Sequence, residues 1–194
     1  MKKSVDRKPA SSVAFLGRAM QLAFVTRDIE TLLHTWTKVL GLGPFALITD
    51  NPPVNAIYRG KPTQPEILMG WTFFQNTQIA VLQQLNDAPS PQRDFIQSGR
   101  EGIEHIGFWP PDPAHAARRL ERMGLQQIYD IPGSATRYYE APPGMQEHIS
   151  LLEPSPARER IYRGLRAWSK DWDGKRPVRR YATMAKFWAD LGVR

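Results

Sequence analysis

Gln21-Leu-Ala-Phe-Val-Thr-Arg-Asp28 and His105-Ile-Gly-Phe-Trp-Pro-Pro-Asp112 decide the fold. Each is a short alternating apolar run that ends in Asp seven residues on. Alternation of period two marks a half-buried strand. Each aspartate then opens a helical pattern. Ile29, Leu32, Leu33, Trp36, Val39 and Leu40 follow the first, and Ala116, Ala117, Leu120 and Met123 the second. An Asp before an apolar-periodic run is an N-cap, because its carboxylate accepts from the unpaired first-turn amides. Pro113 suits the first helical position, and Gly41 and Gly124 suit the helix ends.

The echo extends further along the chain. Ile79-Ala80-Val81-Leu82 and Ile149-Ser150-Leu151-Leu152 read as the last strand of each half. Between helix and last strand lie strand candidates at 45–48, 54–59 and 67–74 in the first half, and at 126–131 and 136–140 in the second. Pro- and Gly-rich turns separate them. The reading is α+β, with the order strand, helix, three strands occurring twice. It divides the chain into a tail (1–12), a first βαβββ module (13–85), a linker (86–102) with a short helix near 91–98, a second module (103–154) and an extension (155–194). In the extension, Ile161, Leu165, Trp168 and Trp172, then Met184, Phe187, Trp188 and Leu191, fall at helical spacing. They predict two amphipathic helices with basic outer faces, whose apolar stripes cover a sheet edge, a cavity mouth or a partner subunit.

Charge and composition narrow the function. The absence of cysteine excludes a disulfide scaffold, a thiolate metal site and a thiol nucleophile, and fits a reducing compartment. The formal charge is +7, but residues 13–155 hold 11 basic and 14 acidic side chains. The excess sits in 1–12 and in 156–194, which carries 11 basic and 4 acidic residues. A basic end attracts nucleic acid, anionic lipid or a phosphorylated ligand; a solvated helical face is the plainer explanation. Nucleic acid fits poorly, since Trp168, Trp172 and Trp188 sit on apolar stripes rather than among basic residues. No run reaches the roughly 18 apolar residues of a membrane span, and none follows the N-terminus as a signal peptide requires. A cytoplasmic protein is expected. No phosphate loop, dinucleotide fingerprint, nucleophile elbow or zincin pattern is present.

Phe24-Val-Thr-Arg-Asp-Ile-Glu30 with Trp36-Thr-Lys-Val-Leu-Gly-Leu-Gly-Pro-Phe45 resembles the opening of vicinal oxygen chelate proteins. Gly102-Ile-Glu-His-Ile-Gly-Phe108 resembles the start of their second module. Tyr138-Tyr-Glu-Ala-Pro-Pro-Gly144 and Ser150-Leu-Leu-Glu-Pro154 resemble its end. The resemblance covers about residues 17–154 and is greatest to methylmalonyl-CoA epimerase and glyoxalase I-like members. It implies two modules curving around one cavity, in which a divalent metal is held by the first and last strand of each. The matching positions here are Gln21, Ala80, His105 and Ser150. Ala80 has no donor and Ser150 offers a neutral hydroxyl, so the implied metal site is eroded. His148, two residues before Ser150 and on the same strand face, could share a metal with His105, with Gln21 as third ligand. No cofactor beyond that metal is expected.

The resemblance and strand parity give a lining. Gln21, Ala23 and Val25 face in, while Leu22 and Phe24 meet the helix. His105, Gly107, Trp109, Ser150, His148, Gln78 and Ala80 face in as well. Candidate catalytic residues are His105, His148 and Tyr139; candidate substrate contacts are Gln21, Ser150, Trp71, Trp109 and Arg137. The lining so read holds two imidazoles and no certain carboxylate. His34 and His115 fall on the solvent side of predicted helices. The functional expectation is a lyase or isomerase acting on a small carbonyl compound by proton transfer, in a homodimer. The alternative is a non-catalytic binding protein of the same fold that sequesters a small molecule.

Overall fold

Both aspartate caps form. Asp28 Oδ1 accepts from Thr31 N at 3.0 Å and Asp112 Oδ1 from His115 N at 2.8 Å. They start α1 (Ile29–Val39) and α3 (Pro113–Arg122). The computed structural model describes residues 13–50 and 52–191. The expected tail, 1–12, lies outside the described residues.

The first module contains β1 (Arg18–Val25), α1, β2 (Phe45–Ile48), β5 (Ile67–Phe74) and β6 (Thr77–Gln84), with a hairpin of β3 (Ile57–Tyr58) and β4 (Lys61–Pro62) between β2 and β5. After α2 (Pro91–Gln97), the second contains β7 (Gly102–Trp109), α3, β8 (Gln127–Ile131), β9 (Thr136–Tyr139) and β10 (His148–Leu152). The extension adds α4 (Pro156–Lys170), β11 (Val178–Tyr181) and α5 (Met184–Leu191). Among the described residues the strands form one sheet, in the order β11-β2-β5-β6-β1-β7-β10-β9-β8-β3-β4. The antiparallel pairing of β1 with β7 joins the modules at its centre.

Two placements differ from the sequence reading. The strand expected at 54–59 does not join its own module; β3 pairs with β8, at the far edge of the other. The Tyr58 ring packs against Tyr129 at 6.2 Å, and its hydroxyl donates to Asp94 at 2.6 Å, which fixes it there. The extension also holds a strand as well as two helices. Val178-Arg-Arg-Tyr181 pairs in parallel with β2, and charged residues on so short an edge strand hide its periodicity.

The sheet is covered on both faces. On the outer face α1 packs Ile29 and Leu33 against Phe45, Leu47, Ile79 and Val81, with Leu22 and Phe24 beside them. There α3 packs Ala116 and Leu120 against Tyr139, Ile149 and Leu151. On the inner face of the first module, Ile161, Tyr162 and Leu165 of α4 and Phe187 of α5 meet Met20, Ala46, Ile48 and Phe73. Gly164 lets α5 approach α4: a Cβ there would stand 2.5 Å from Leu191 Cδ1. Phe95 of α2 closes the end of this face against Val25 and Leu82. The extension therefore packs onto the sheet, with Trp188 left 39% exposed and Trp172 against Gly43. No described helix is long and apolar enough to cross a membrane.

Candidate functional site

Strand alternation alone would turn Glu104 and His105 to opposite faces. A bulge in β7 prevents this. Ala23 pairs with His105 and the next residue, Phe24, with Ile103, so Glu104 has no partner on β1. An extra residue of this kind re-aims a side chain. Both Glu104 and His105 turn inward, with 0% and 2% exposure. The mirror bulge falls at Met20 of β1, where Ala19 and Gln21 face Phe108 and Gly107. Met20 and Glu104 are equivalent in the internal echo, so each module breaks its first strand at the same place.

The bulges bring a polar chain together between the modules. Glu104 Oε2 lies 2.5 Å from His105 Nδ1. His105 Nε2 lies 3.1 Å from Gln21 Oε1. Gln21 Nε2 donates to Gln78 Oε1 at 2.6 Å. With Gln21 Oε1 as acceptor, His105 Nε2 donates to it, and Nδ1 faces the Glu104 carboxylate. Gly107 makes room for this: a Cβ there would stand 2.7 Å from Leu152 Cδ1 and 2.9 Å from Gln21 Cβ.

Aromatic and hydroxyl groups surround the chain. The Tyr138 ring lies 4.3 Å from that of His105, and Tyr129 packs on Tyr138 at 5.3 Å. Burial, then the charge of Glu104, push both phenols above their ordinary range, so they remain protonated donors. Glu104 Oε1, Tyr129 OH and Ser150 Oγ are buried without a hydrogen-bond partner. Buried polar atoms normally find one. Three orphans on one stretch of inner face mark a place where a polar ligand or water completes the bonding.

The expected site residues separate into two groups. Gln21, His105, His148 and Ser150 share the inner face; His148 pairs in register with His105, and Ser150 with Gly107. His148 Nδ1 accepts from Ala141 N at 3.0 Å, and burial lowers its pKa from the usual 6.5. Trp71 and Trp109 also face in, but they pack on Phe187 at 6.0 Å and on Tyr162 at 4.8 Å, within the core made by the extension. Tyr139 and Arg137 face out. The Tyr139 hydroxyl lies 3.4 Å from Gln127 Oε1 and its ring packs under α3. Arg137 pairs with Glu153 at 3.2 Å. The inward place belongs to Tyr138, whose cross-strand partner is Ser150. Glu104 supplies the lining carboxylate that the sequence reading did not place. Gln78 lies in the lining as strand parity placed it; Tyr129 and Tyr138 were not singled out, although the pairing of Met20 with Glu104 in the echo was a usable signal.

The donors do not fit a divalent metal. Of the four positions implied by the resemblance, Ala80 has no donor and Ser150 only a hydroxyl. Both ring nitrogens of His105 are engaged, by Glu104 and by Gln21. The alternative set of His105, His148 and Gln21 does not converge either, because Gln21 Oε1 is turned onto His105 itself. Among the described residues no three His, Asp or Glu side chains gather around one point. Two surface clefts lie elsewhere. One of about 500 Å³ is lined by Asp50, Gln64, Glu66 and Asn86, and one of about 470 Å³ by Pro53, Val54, Ile57 and Pro62. Neither includes Gln21, His105 or Ser150.

A family model for the Glyoxalase/Bleomycin resistance protein/Dioxygenase superfamily matches residues 20–139. Among curated proteins none matches the sequence. Among solved structures, the chain is similar to a hypothetical protein from Bacillus halodurans C-125, with TM-score 0.55 and 17% identity over 71% of this chain and 94% of that one. It is also similar to methylmalonyl-CoA epimerase from Mycobacterium tuberculosis, with TM-score 0.52 and 17% identity over 79% of this chain and 97% of that one. At such identity the likeness concerns the fold.

Proposed function

The chain belongs to the Glyoxalase/Bleomycin resistance protein/Dioxygenase superfamily, and from that premise we propose that it is a lyase or isomerase that moves a proton on a small carbonyl compound. The observation that carries the reading is the buried carboxylate of Glu104, with one oxygen on His105 and the other without a partner. The free Oε1 takes a proton from the carbon beside the carbonyl. His105, held in orientation by Gln21 and Gln78, stabilises Glu104 as its charge changes. The Tyr129 and Tyr138 hydroxyls donate to the carbonyl oxygen as it becomes an enolate. A carboxylate as base and fixed donors at the developing charge are the two elements such a transfer needs. Return of the proton from Glu104 to a neighbouring carbon completes an isomerisation; loss of a leaving group from the enolate completes a lyase reaction. We assign this chemistry to a homodimer.

A second reading is favoured by a different observation. His105 is 2% exposed, and α2 and α4 cover the inner face beside it. Such burial suits a protein that sequesters a small molecule without converting it. Proton exchange in D2O separates the two. Acetone, pyruvamide and pyruvate each carry exchangeable protons beside a carbonyl. Proton NMR should show their loss faster than in buffer, with the acceleration removed by Glu104→Gln. No acceleration with any of the three overturns the catalytic reading in favour of sequestration.

A further inference from the structure

Arg158 stands in the first turn of α4, where the Ser155 N-cap accepts from its backbone amide at 3.1 Å. Its guanidinium turns back onto the second module. Nη2 donates to the carbonyl oxygen of Ser134 at 2.5 Å and to Thr136 Oγ1 at 3.3 Å. Thr136 is cross-strand from Leu152, and Tyr138 from Ser150, so Arg158 reaches the strands that carry the orphaned hydroxyl. Nη1 is buried and has no hydrogen-bond partner. No carboxylate among the described residues lies within ion-pair distance of Arg158; Glu153, paired with Arg137, acts on it only from farther away. A largely buried guanidinium with an unpaired Nη1 and no counter-ion in contact is unfavourable. Something is expected to complete it.

We infer that Arg158 is the anchor for the carboxylate of a short carbonyl-bearing acid, with the Ser150 hydroxyl as a neighbouring donor. The inference rests on the function proposed above and names the substrate class for that same inner face. Arg158 and Glu104 both act on the Tyr138 phenol, with opposite signs. A ligand lying along Tyr138 thus meets a fixed cation toward α4 and a base toward β7. Its carboxylate pairs with Nη1, which the Nη2 bonds hold in a fixed plane. Its carbonyl then lies toward the phenols and its acidic carbon toward Glu104 Oε1. One guanidinium balances one negative charge; a phosphate dianion would leave a charge uncompensated beside Glu104. The same arrangement gives the extension a functional part, because the anchor comes from α4 and the base from β7.

Isothermal titration calorimetry with pyruvate and its neutral isostere pyruvamide tests the assignment on the full chain. Pyruvate should bind at least about tenfold more tightly than pyruvamide, since a charged hydrogen bond is added. Arg158→Gln should remove that preference, weakening pyruvate binding far more than pyruvamide binding, and Arg158→Lys should retain part of it. Circular dichroism of each variant identifies any loss of fold; if the Gln variant unfolds, the Lys variant and the pyruvate-to-pyruvamide ratio of the wild type carry the test. Equal binding of the two probes, no saturable pyruvate binding, or an unchanged preference in the Arg158 variants overturns the inference. Pyruvate binding through Arg158 without proton exchange would leave the anchor standing and remove catalysis. Exchange that is independent of Arg158 would do the reverse.

Discussion

At the scale of single residues, the site depends on where the backbone departs from regularity. Gln21 and His105 could be placed on one face from the sequence, because the echo sets them at equivalent positions on alternating strands. Glu104 could not. Alternation assigns neighbours to opposite faces, and a bulge carries no residue type that announces it. Tyr138 and Tyr139 show the same limit, since two adjacent tyrosines leave the parity of a short strand undecided. Gly107→Ala should destabilise the protein by about 1–3 kcal/mol in chemical denaturation, because the added methyl meets Leu152 and Gln21. It should also disturb Gln21 before any other polar group. His148 predicts a pH dependence. Burial lowers its folded pKa below the usual 6.5, and Ala141 N requires an unprotonated Nδ1. The unfolded chain then binds a proton that the folded one refuses. Stability should fall as pH drops through about 6.5 toward the lowered value, and then level off. In urea titrations from pH 7.5 to 5, His148→Gln should flatten this slope; an unchanged slope would show that His148 is not the group responsible.

At the scale of elements, the helices were the most legible part. Aspartate caps, apolar spacing and terminal glycines agreed on α1 and α3, and the apolar stripes of 156–194 located α4 and α5. The small strands were less legible, because β3 and β11 gain their partners from distant segments rather than from their own pattern. The extension's contribution is measurable. Leu165 is fully buried among Met20, Phe73 and Phe187, and Leu165→Ala should destabilise by roughly 2–5 kcal/mol. Truncation after Pro154 should uncover the inner face of the first module and favour aggregation in light scattering. A monodisperse truncated protein with unchanged thermal stability would contradict the packing described for α4 and α5. The exposed pair between Arg180 of β11 and Glu30 of α1, bidentate at 2.6 Å, should matter far less. Glu30→Ala should change stability by no more than about 1 kcal/mol, and by less at high salt.

At the scale of the whole molecule, duplication explains both the fold and its site. Two modules pair through their first strands, and one hydrogen-bonded chain crosses that seam: Gln78 and Gln21 from the first half, His105 and Glu104 from the second. The charge distribution completes the division of labour. The paired modules are slightly acidic, and the basic extension sends Arg158 back to the face that carries Glu104. The duplicated order was legible because it repeats; the filling of the inner face by α4 and α5 was not, because amphipathic stripes do not name the surface they cover. The central claim is that the seam holds His105 in hydrogen bonds between a carboxylate and an amide. Proton and nitrogen-15 NMR of the histidine rings tests it most directly. The account predicts a slowly exchanging His105 ring proton at low field that is lost or strongly shifted in Glu104→Gln and moved less in Gln21→Ala. A His105 ring that exchanges with water as freely as exposed His34 and His115, and is unaffected by Glu104→Gln, would contradict it.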